Sequence, residues 1–142
     1  MINIEVNNNK VHLTGNLKVL NKIFEDMKVR HPNAYYLRPY MEKGWDGKIK
    51  YLTDQGYSKS GLLPMIASLI DKYQEDYSIK DVRNRLETNE IPEEIGEFKA
   101  RQYQIDAVRS IIRNKVLGIP FQRGIIGAAV NAGKTLIAAM LY

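Results

Sequence analysis

The sequence predicts an α+β domain with the element order β-β-α-β-β-α-β, followed by the first α-β-α elements of an α/β lobe that carries a P-loop. Apolar residues alternate near the N-terminus and recur at helical spacing further along. A continuous apolar run then comes just before a Gly-Lys-Thr tripeptide. With 44% apolar and 26% charged residues, a chain of 142 residues has the composition of a globular protein.

The first domain is predicted to span residues 1–83 and to begin with a β-hairpin. Residues 2–6 and 10–14 are two short β-prone segments, and the asparagines between them tolerate the positive φ of a tight turn. An amphipathic helix with Asn16 as its N-cap is predicted next. Its apolar stripe consists of Leu17, Leu20, Ile23, Phe24 and Met27.

Four further elements complete the predicted first domain. In order, they are a strand over 34–40, a strand over 48–52, a helix over 61–74 and a short strand over 76–82. Pro39 lacks a backbone N–H and so places the strand 34–40 at a sheet edge. Pro64 falls in the first turn of the helix, where proline is tolerated.

Residues 84–97 are predicted to be a linker, because they are acidic, contain Pro92 and show no clear periodicity. The second part, residues 98–142, begins with a helical stripe formed by Tyr103, Ala107, Ile111 and Ile112. The apolar run over 123–130 predicts a strand buried on both faces, as in a parallel α/β sheet. The last seven residues continue as a helix.

Composition excludes several classes of protein. The chain has no cysteine, which rules out disulfides and thiolate metal sites, and His12 and His31 show no ligand spacing. No apolar run has the length of a signal peptide or the roughly 20 residues of a membrane span. We therefore expect a cytoplasmic protein without a membrane partner.

Positive charge is concentrated in two blocks. Residues 28–59 carry seven cationic against three acidic side chains, and residues 98–142 carry seven against one. Residues 60–97 between them carry four against nine. Basic blocks of this kind can bind a phosphate backbone, and the alternative is an ordinary solvated surface.

The Gly133-Lys134-Thr135 tripeptide predicts a phosphate-binding loop at the start of a helix. Backbone N–H groups there have no intrahelical acceptor, and the helix dipole adds partial positive charge. Lys134 would contact the β- and γ-phosphates, and the Thr135 hydroxyl would bind Mg²⁺. ATP and Mg²⁺ are the predicted cofactors, although Ala128 stands where the full P-loop pattern has its first glycine.

The stretch AAVNAGKT, Ala128 to Thr135, resembles motif I of superfamily 2 helicases, and RQYQIDAV at 101–108 resembles the glutamine-containing motif that precedes it. The resemblance implies a RecA-like lobe in which Gln104 reads adenine, with Arg101 nearby. It also implies nucleotide-binding roles for the loop residues Ala128, Asn131, Ala132, Gly133, Lys134 and Thr135. Asn131 replaces a glycine or serine but tolerates left-handed geometry. Taken alone, residues 103–108 also fit an ordinary amphipathic helix.

The first domain carries a second resemblance. GWDGKIKYL, followed by GLLP, is similar to the N-terminal region of UvsW-type recombination helicases of bacteriophages. This implies an ATP-dependent enzyme that remodels branched or double-stranded DNA in the host cytoplasm.

The predicted DNA contacts in the first domain are Arg38, Trp45, Lys48 and Lys50. Cations can bind phosphates, and aromatic rings can stack on bases. A lone tryptophan beside a turn also fits the cap of a small core, and the many tyrosines also fit a half-exposed sheet.

Hydrolysis needs a second acidic group for Mg²⁺ and arginines that meet the transferred phosphoryl group. The resemblance places these beyond motif I, so we expect a fragment of a longer helicase that does not hydrolyse ATP alone. The alternatives are another superfamily 2 motor, such as a restriction translocase, RNA helicase or packaging ATPase, or a small non-enzymatic DNA-binding protein.

Overall fold

The computed structural model describes residues 1–84 and 90–141 of the chain. It is a mixed α and β structure with two compact units, Met1–Asn84 and Arg85–Tyr142. Each unit buries its own apolar side chains. Among the described residues, none of the helices has both the length and the apolar character needed to cross a membrane.

The first unit has three α-helices and six strands. In chain order its elements are β1 (Ile2–Val6), β2 (Lys10–Gly15), α1 (Leu17–Asp26), β3 (Lys28–Arg30), α2 (Arg38–Met41), β4 (Lys48–Lys50), β5 (Tyr57–Lys59), α3 (Leu63–Lys72) and β6 (Tyr77–Asp81). Four strands form a sheet in the order β5-β2-β1-β6, in which β1 runs antiparallel to β2 and parallel to β6. Strands β3 and β4 pair separately as an antiparallel ribbon.

The predicted N-terminal hairpin is confirmed by the pairing of β1 with β2. The side chain of Asn7 accepts hydrogen bonds from the backbone N–H groups of Asn9 (3.2 Å) and Lys10 (2.8 Å). Asparagine commonly closes turns through such bonds to its own chain. The turn is closed by this side chain and not by the expected positive φ, which none of the three asparagines has.

The core of the first unit lies on one face of the sheet, where α1 packs against β2 and α3. Its buried residues come from alternate strand positions and from one stripe on each helix: Ile2, Ile4, Val6, Val11, Leu13, Ile23, Ile66 and Ile70. The strand residues between them, such as Asn3 and Glu5, are exposed. This alternation is what a sheet covered on one side requires.

The predicted N-cap of α1 is confirmed, since the Asn16 side chain accepts a hydrogen bond from the Lys18 N–H at 3.2 Å. The apolar stripe is only partly as predicted. Ile23 and Met27 are buried, whereas Leu17 is exposed and Val19 is buried instead. Val19 lies four residues before Ile23, so it shares the helix face that meets the sheet.

Residues 34–40 do not form the predicted strand. Ala34–Tyr36 is a 3₁₀ turn and Arg38–Met41 is the short helix α2. The tyrosines favour a strand, but Pro39 sits at the start of α2, where its fixed φ suits a helix and its missing N–H breaks no bond.

The third and fourth strands of the first unit also differ from the prediction. The predicted strand 48–52 is reduced to β4, and it pairs with β3, which includes Lys28 from the predicted end of the first helix. The strand that pairs with β2 at one edge of the four-stranded sheet is β5, which lies in a segment without a strand pattern. Strand β5 has only three residues after the turn at Gly56, which are too few to show alternation.

The second unit contains two short hairpins and two helices among its described residues. They are β7 (Glu94–Ile95), β8 (Phe98–Lys99), α4 (Gln102–Ile112), β9 (Lys115–Val116), β10 (Ile119–Pro120) and α5 (Lys134–Leu141). The buried residues Ala100, Ile105, Val108, Ile137 and Met140 form its core. The helix predicted at 103–112 forms, but its buried residues are Gln104, Ile105 and Val108, which share one helix face. The predicted stripe is wrong, since Tyr103 is exposed and Ala107, Ile111 and Ile112 are only half-buried.

The predicted linker 84–97 differs from the structure at its end. Residues 85–89 lie outside the described residues, but Glu94–Ile95 pairs with Phe98–Lys99 around Gly96. Ile91 and Ile95 also pack against the core of the second unit. The hairpin has two residues in each strand, which is too short to show a period.

The run 123–130 is not the predicted buried strand. No strand pairing involves it in the described part of the chain, and Ile125 and Val130 are 99% and 84% exposed. Only Ile126 packs against the core of its unit. A parallel strand needs hydrogen-bonded neighbours, and the described residues of this unit provide none beside it.

A polar network joins the ends of α1 and α3. The Asp26 carboxylate accepts hydrogen bonds from the Lys72 ammonium (2.6 Å) and the Tyr73 hydroxyl (2.7 Å). The Lys72 bond, and then the Tyr73 bond, lower the pKa of Asp26 below its ordinary value of 3.8. This stabilisation is present above pH 3.8 and is lost as the pH falls through the lower pKa of the folded state.

We predict that Asp26→Asn lowers the melting temperature at neutral pH. Relative to wild type, the variant should also lose less stability between about pH 5 and pH 2, because it lacks the carboxylate that protonates there. Asp71→Asn is the matched control, because it removes an exposed carboxylate one residue before Lys72. Equal melting curves for the two variants across this range would contradict the prediction.

Candidate phosphate-binding site

The segment before α5 turns sharply instead of running straight. Asn131 and Gly133 both have left-handed backbone conformations, with φ of 64° and 70°. The Ala132 N–H donates to the Ala129 carbonyl at 3.3 Å, and the Ile137 N–H donates to the Gly133 carbonyl at 3.1 Å. The chain therefore forms a tight loop whose last residue starts the hydrogen-bonding ladder of α5.

Gly133 is required in this loop for two independent reasons. Its positive φ is costly for any residue with a Cβ. A Cβ added there would also lie 2.3 Å from Nε2 of Gln104. Asn131 also has a positive φ, and asparagine tolerates the left-handed region better than most residues.

Gln104 connects the start of α4 to the loop through both ends of its side-chain amide. The Oε1 atom accepts a hydrogen bond from the Arg101 N–H at 2.8 Å, and Nε2 donates to the Ala132 carbonyl at 3.0 Å. Only this orientation of the amide satisfies both partners. Gln104 is only 4% exposed, so it acts here as a buried bridge.

These bonds limit what Gln104 offers to a base. One lone pair and one N–H of the amide are used, which leaves one acceptor site and one donor. The adenine-reading role stays a prediction, and it requires access to a side chain that is buried in this conformation. Arg101 is exposed at the N-cap of α4, and Ala128 is half-buried in the segment before the loop.

Tyr103 is a loop contact that the sequence pattern missed. Its hydroxyl donates to the Ala132 carbonyl at 2.9 Å, so that carbonyl accepts two side-chain hydrogen bonds. The sequence placed Tyr103 in the apolar stripe of the helix, but its ring is half-exposed. The sequence feature that could have indicated this contact is the position of Tyr103 directly before Gln104.

Lys134 and Thr135 occupy the first turn of α5, and both are exposed. Ile137 and Met140 on the same helix are buried in the core of the unit, where they anchor it. The N–H groups of the first turn have no intrahelical acceptors, and the helix dipole favours negative charge beside them. With the Lys134 ammonium, these donors suit a phosphate group.

The donor set fits a nucleotide phosphate with Mg²⁺ better than a metal held by the protein alone. No group of three or more His, Asp or Glu side chains within residues 1–84 and 90–141 could hold a metal ion. The exposed Thr135 hydroxyl is one protein oxygen at the loop that can take part. Mg²⁺ commonly keeps several waters and takes further ligands from phosphates.

The four predicted DNA-contacting residues lie in the first unit. Arg38 begins α2 and donates to the Glu42 carboxylate at 2.7 Å. The Trp45 indole N–H donates to the Lys48 carbonyl at 2.9 Å, and its ring meets His31 edge to face at 5.9 Å. Both contacts hold the half-buried ring beside the turn. The DNA-contacting role of Trp45 and its alternative, the cap of a small core, both stay predictions.

Lys48 and Lys50 lie directly opposite two cations that the sequence pattern missed. The register of the ribbon pairs Lys28 with Lys50 and Arg30 with Lys48. Lys28 was assigned to the end of the first helix, so its pairing could not be foreseen.

We predict that Gly133→Ala destabilises the second unit by about 1–3 kcal/mol, because the loop must leave its left-handed conformation or displace Gln104. Hydrogen exchange at the α5 amides measures this loss. Gly127→Ala is the control, since a Cβ there meets nothing within 4 Å and Gly127 has no positive φ. Equal protection in the two variants would mean that the steric argument is wrong.

Comparison with known proteins supports the fold. No family model matches the chain, and a search of curated proteins gives no match. Two solved structures of the UvsW helicase from bacteriophage T4 are similar over 99% of the chain at 19% identity, with TM-scores of 0.71 and 0.72. The chain spans 52% of one of those chains and 30% of the other. Its fold is that of a corresponding part of the UvsW helicase.

Proposed function

We propose that the chain is the N-terminal part of an ATP-dependent DNA helicase of the phage recombination and repair type, which remodels branched DNA. The fold that it shares with the T4 UvsW helicase over 99% of its length carries the proposal. The turned loop before α5 supports the motor class, because it presents backbone donors and a lysine to an anion.

In this proposal the first unit, residues 1–83, is an accessory DNA-contacting domain. Residues 84–97 connect it to residues 98–142, the start of a RecA-like lobe. The host cytoplasm is the proposed location. The activity belongs to the longer protein, and the residues of this chain supply binding and orientation to it.

The loop would hold ATP by its phosphates. The N–H groups of Gly133 to Thr135 and the Lys134 ammonium would bind the β- and γ-phosphates. Bound Mg²⁺, contacted by the Thr135 hydroxyl, would neutralise the charge that develops during phosphoryl transfer. Ala128 and Asn131 would shape the loop, while Gln104 and Arg101 would lie toward the base.

We predict that Lys134→Ala weakens binding of Mg²⁺-ATP to this chain by about tenfold or more, because a charge-assisted hydrogen bond is lost. Titration with a fluorescent ATP analogue measures the change. In the full-length helicase the same substitution should abolish ATPase activity while DNA binding persists. Lys115→Ala, another exposed lysine of this unit, should change neither property. ATPase activity that survives in Lys134→Ala would refute the loop assignment.

We also predict that changing Lys48 and Lys50 together to glutamate weakens DNA binding and flattens its salt dependence. Each lost phosphate contact should reduce the slope of log K against log salt by roughly 0.9. Changing the exposed Lys18 and Lys22 of α1 to glutamate alters the net charge equally and serves as the control. If both double variants bind alike, β4 is not part of the DNA surface.

A further inference from the structure

A surface pocket of about 570 Å³ lies in the first unit, beside α2 and the turn that precedes β4. Its lining is mainly aromatic and apolar: Tyr35, Tyr40, Met41, Lys43, Gly44, Trp45 and Asp46. Ligand pockets in proteins typically measure about 300–1,000 Å³ and have such linings. The pocket can therefore accept a planar ring of the size of a nucleobase.

The walls of the pocket are held in place by contacts within the protein. The hydrogen bond from the Trp45 indole to the Lys48 carbonyl orients that ring. Tyr35 and Tyr40 meet edge to face at 5.3 Å. Gly47 packs so closely that a Cβ there would lie 2.9 Å from the Tyr40 ring. Because the rings are already ordered, a ligand would lose little of its binding energy in arranging them.

The pocket rim exposes apolar surface that its own unit does not cover. Tyr35 is 57% exposed and Met41 is 64% exposed. Tyr36, which is 83% exposed, stands next to the lining residues without being one of them. A concentration of exposed apolar side chains beside charged ones marks a binding surface.

The ribbon of β3 and β4 places like charges opposite one another. Both cross-strand cation pairs, Lys28 with Lys50 and Arg30 with Lys48, lie at alternate positions and so on one face. Like charges directly opposite each other destabilise a sheet. An anionic partner with closely spaced charges would remove this repulsion.

Only part of this repulsion is relieved within the unit. The Glu25 carboxylate pairs with the Lys28 ammonium at 2.5 Å, and the Phe24 ring lies 4.1 Å from the same ammonium. The ion pairs of the described residues do not include Arg30, Lys48 or Lys50. The Lys50 ammonium also lies 5.7 Å from the centre of the Phe24 ring, but a ring contact leaves its charge in place. The ribbon therefore presents three cations that have no carboxylate partner among the described residues.

Arg30 connects the ribbon to the pocket. Its guanidinium lies 4.8 Å from the centre of the Tyr35 ring and donates a hydrogen bond to the Tyr35 hydroxyl. A ligand that filled both features would carry a planar ring next to regularly spaced negative charges. A nucleic-acid strand has this chemistry. In a duplex the bases are stacked inside, whereas an unpaired base can stack on an aromatic side chain.

We propose that the pocket binds one unpaired base of a DNA strand while the β3–β4 ribbon binds the phosphates beside it. This inference rests on the proposed DNA contact of the first unit and adds what is recognised there: a base that has left its stack, as happens at a bulge or a branch point. The aromatic walls supply stacking, and Arg30 and Lys48 supply the phosphate contacts.

The intrinsic fluorescence of Trp45 provides a direct test, because it is the one tryptophan among the 142 residues. The whole chain is titrated with a duplex that carries a single unpaired base and with the same duplex in which that nucleotide is abasic. The two DNAs have equal phosphate charge. We expect the unpaired base to quench the fluorescence and to bind roughly tenfold more tightly than the abasic DNA.

Two variants separate stacking from general binding. Trp45→Ala, followed by fluorescence anisotropy of labelled DNA, should bind both DNAs alike. Tyr36→Ala, with its exposed ring outside the lining, should keep the preference. If Trp45→Ala does not fold by circular dichroism, Met41→Ala serves instead and should reduce the preference, since Met41 is exposed and lines the pocket.

The outcomes distinguish this inference from the proposed function. Equal affinity of the wild type for the two DNAs, without quenching by the unpaired base, overturns the base pocket and leaves the DNA contact of the ribbon intact. A preference that survives in both Trp45→Ala and Met41→Ala also overturns it. Binding of neither DNA at low salt overturns the DNA contact of the first unit itself, and the pocket with it.

Discussion

The bond between the Gln104 amide and the Ala132 carbonyl is the constraint on which the candidate site depends. It is partly buried, and it joins residues that are 28 positions apart in the sequence. The amide can reach that carbonyl only because Gly133 has no Cβ, and the glycine is left-handed because the loop must turn before α5. One hydrogen bond, one missing side chain and one backbone angle thus require each other, and the exposure of Lys134 and Thr135 at the helix start follows from them.

The pattern-based predictions succeeded where a segment was long enough to show a period. The hairpin at Asn7, the N-cap at Asn16 and the three longer helices all have local causes that are legible in the residues. The short elements were not predictable in this way. Strands of two or three residues, such as β3 and β5, contain no full alternation, so only their tertiary pairing defines them. Pro39 shows how one residue can outweigh a tyrosine-rich composition.

The predictions for the candidate site divide in the same way, into features with a local cause and features that depend on tertiary contacts. The turn and the helix after it could be predicted, because glycine, lysine and threonine in that order have a known backbone consequence. The hydrogen bond from Tyr103 to the loop could not be predicted, since an aromatic residue on a helical stripe is normally a core residue. The apolar run 123–130 failed for a different reason. Its composition is that of an interior strand, but a strand also needs partners, and composition says nothing about where they are.

The two candidate surfaces would recognise anions by different means. The loop before α5 would use backbone donors and one lysine, so its effect depends on the geometry of the backbone. The ribbon would use side-chain cations, whose effect depends on register and on salt. Each substitution there has a direct electrostatic effect.

The parallel pairing of β1 with β6 has a consequence for how the protein is made. Residue 2 lies beside residue 77, so the central sheet closes only when two distant segments meet. Such long-range pairing slows folding, because the entropy of closing the chain is lost before the contacts form. During synthesis on the ribosome, the N-terminal hairpin must wait with an unpaired edge until β6 has emerged. An exposed edge of this kind invites aggregation, so this stage is where a chaperone would have most effect.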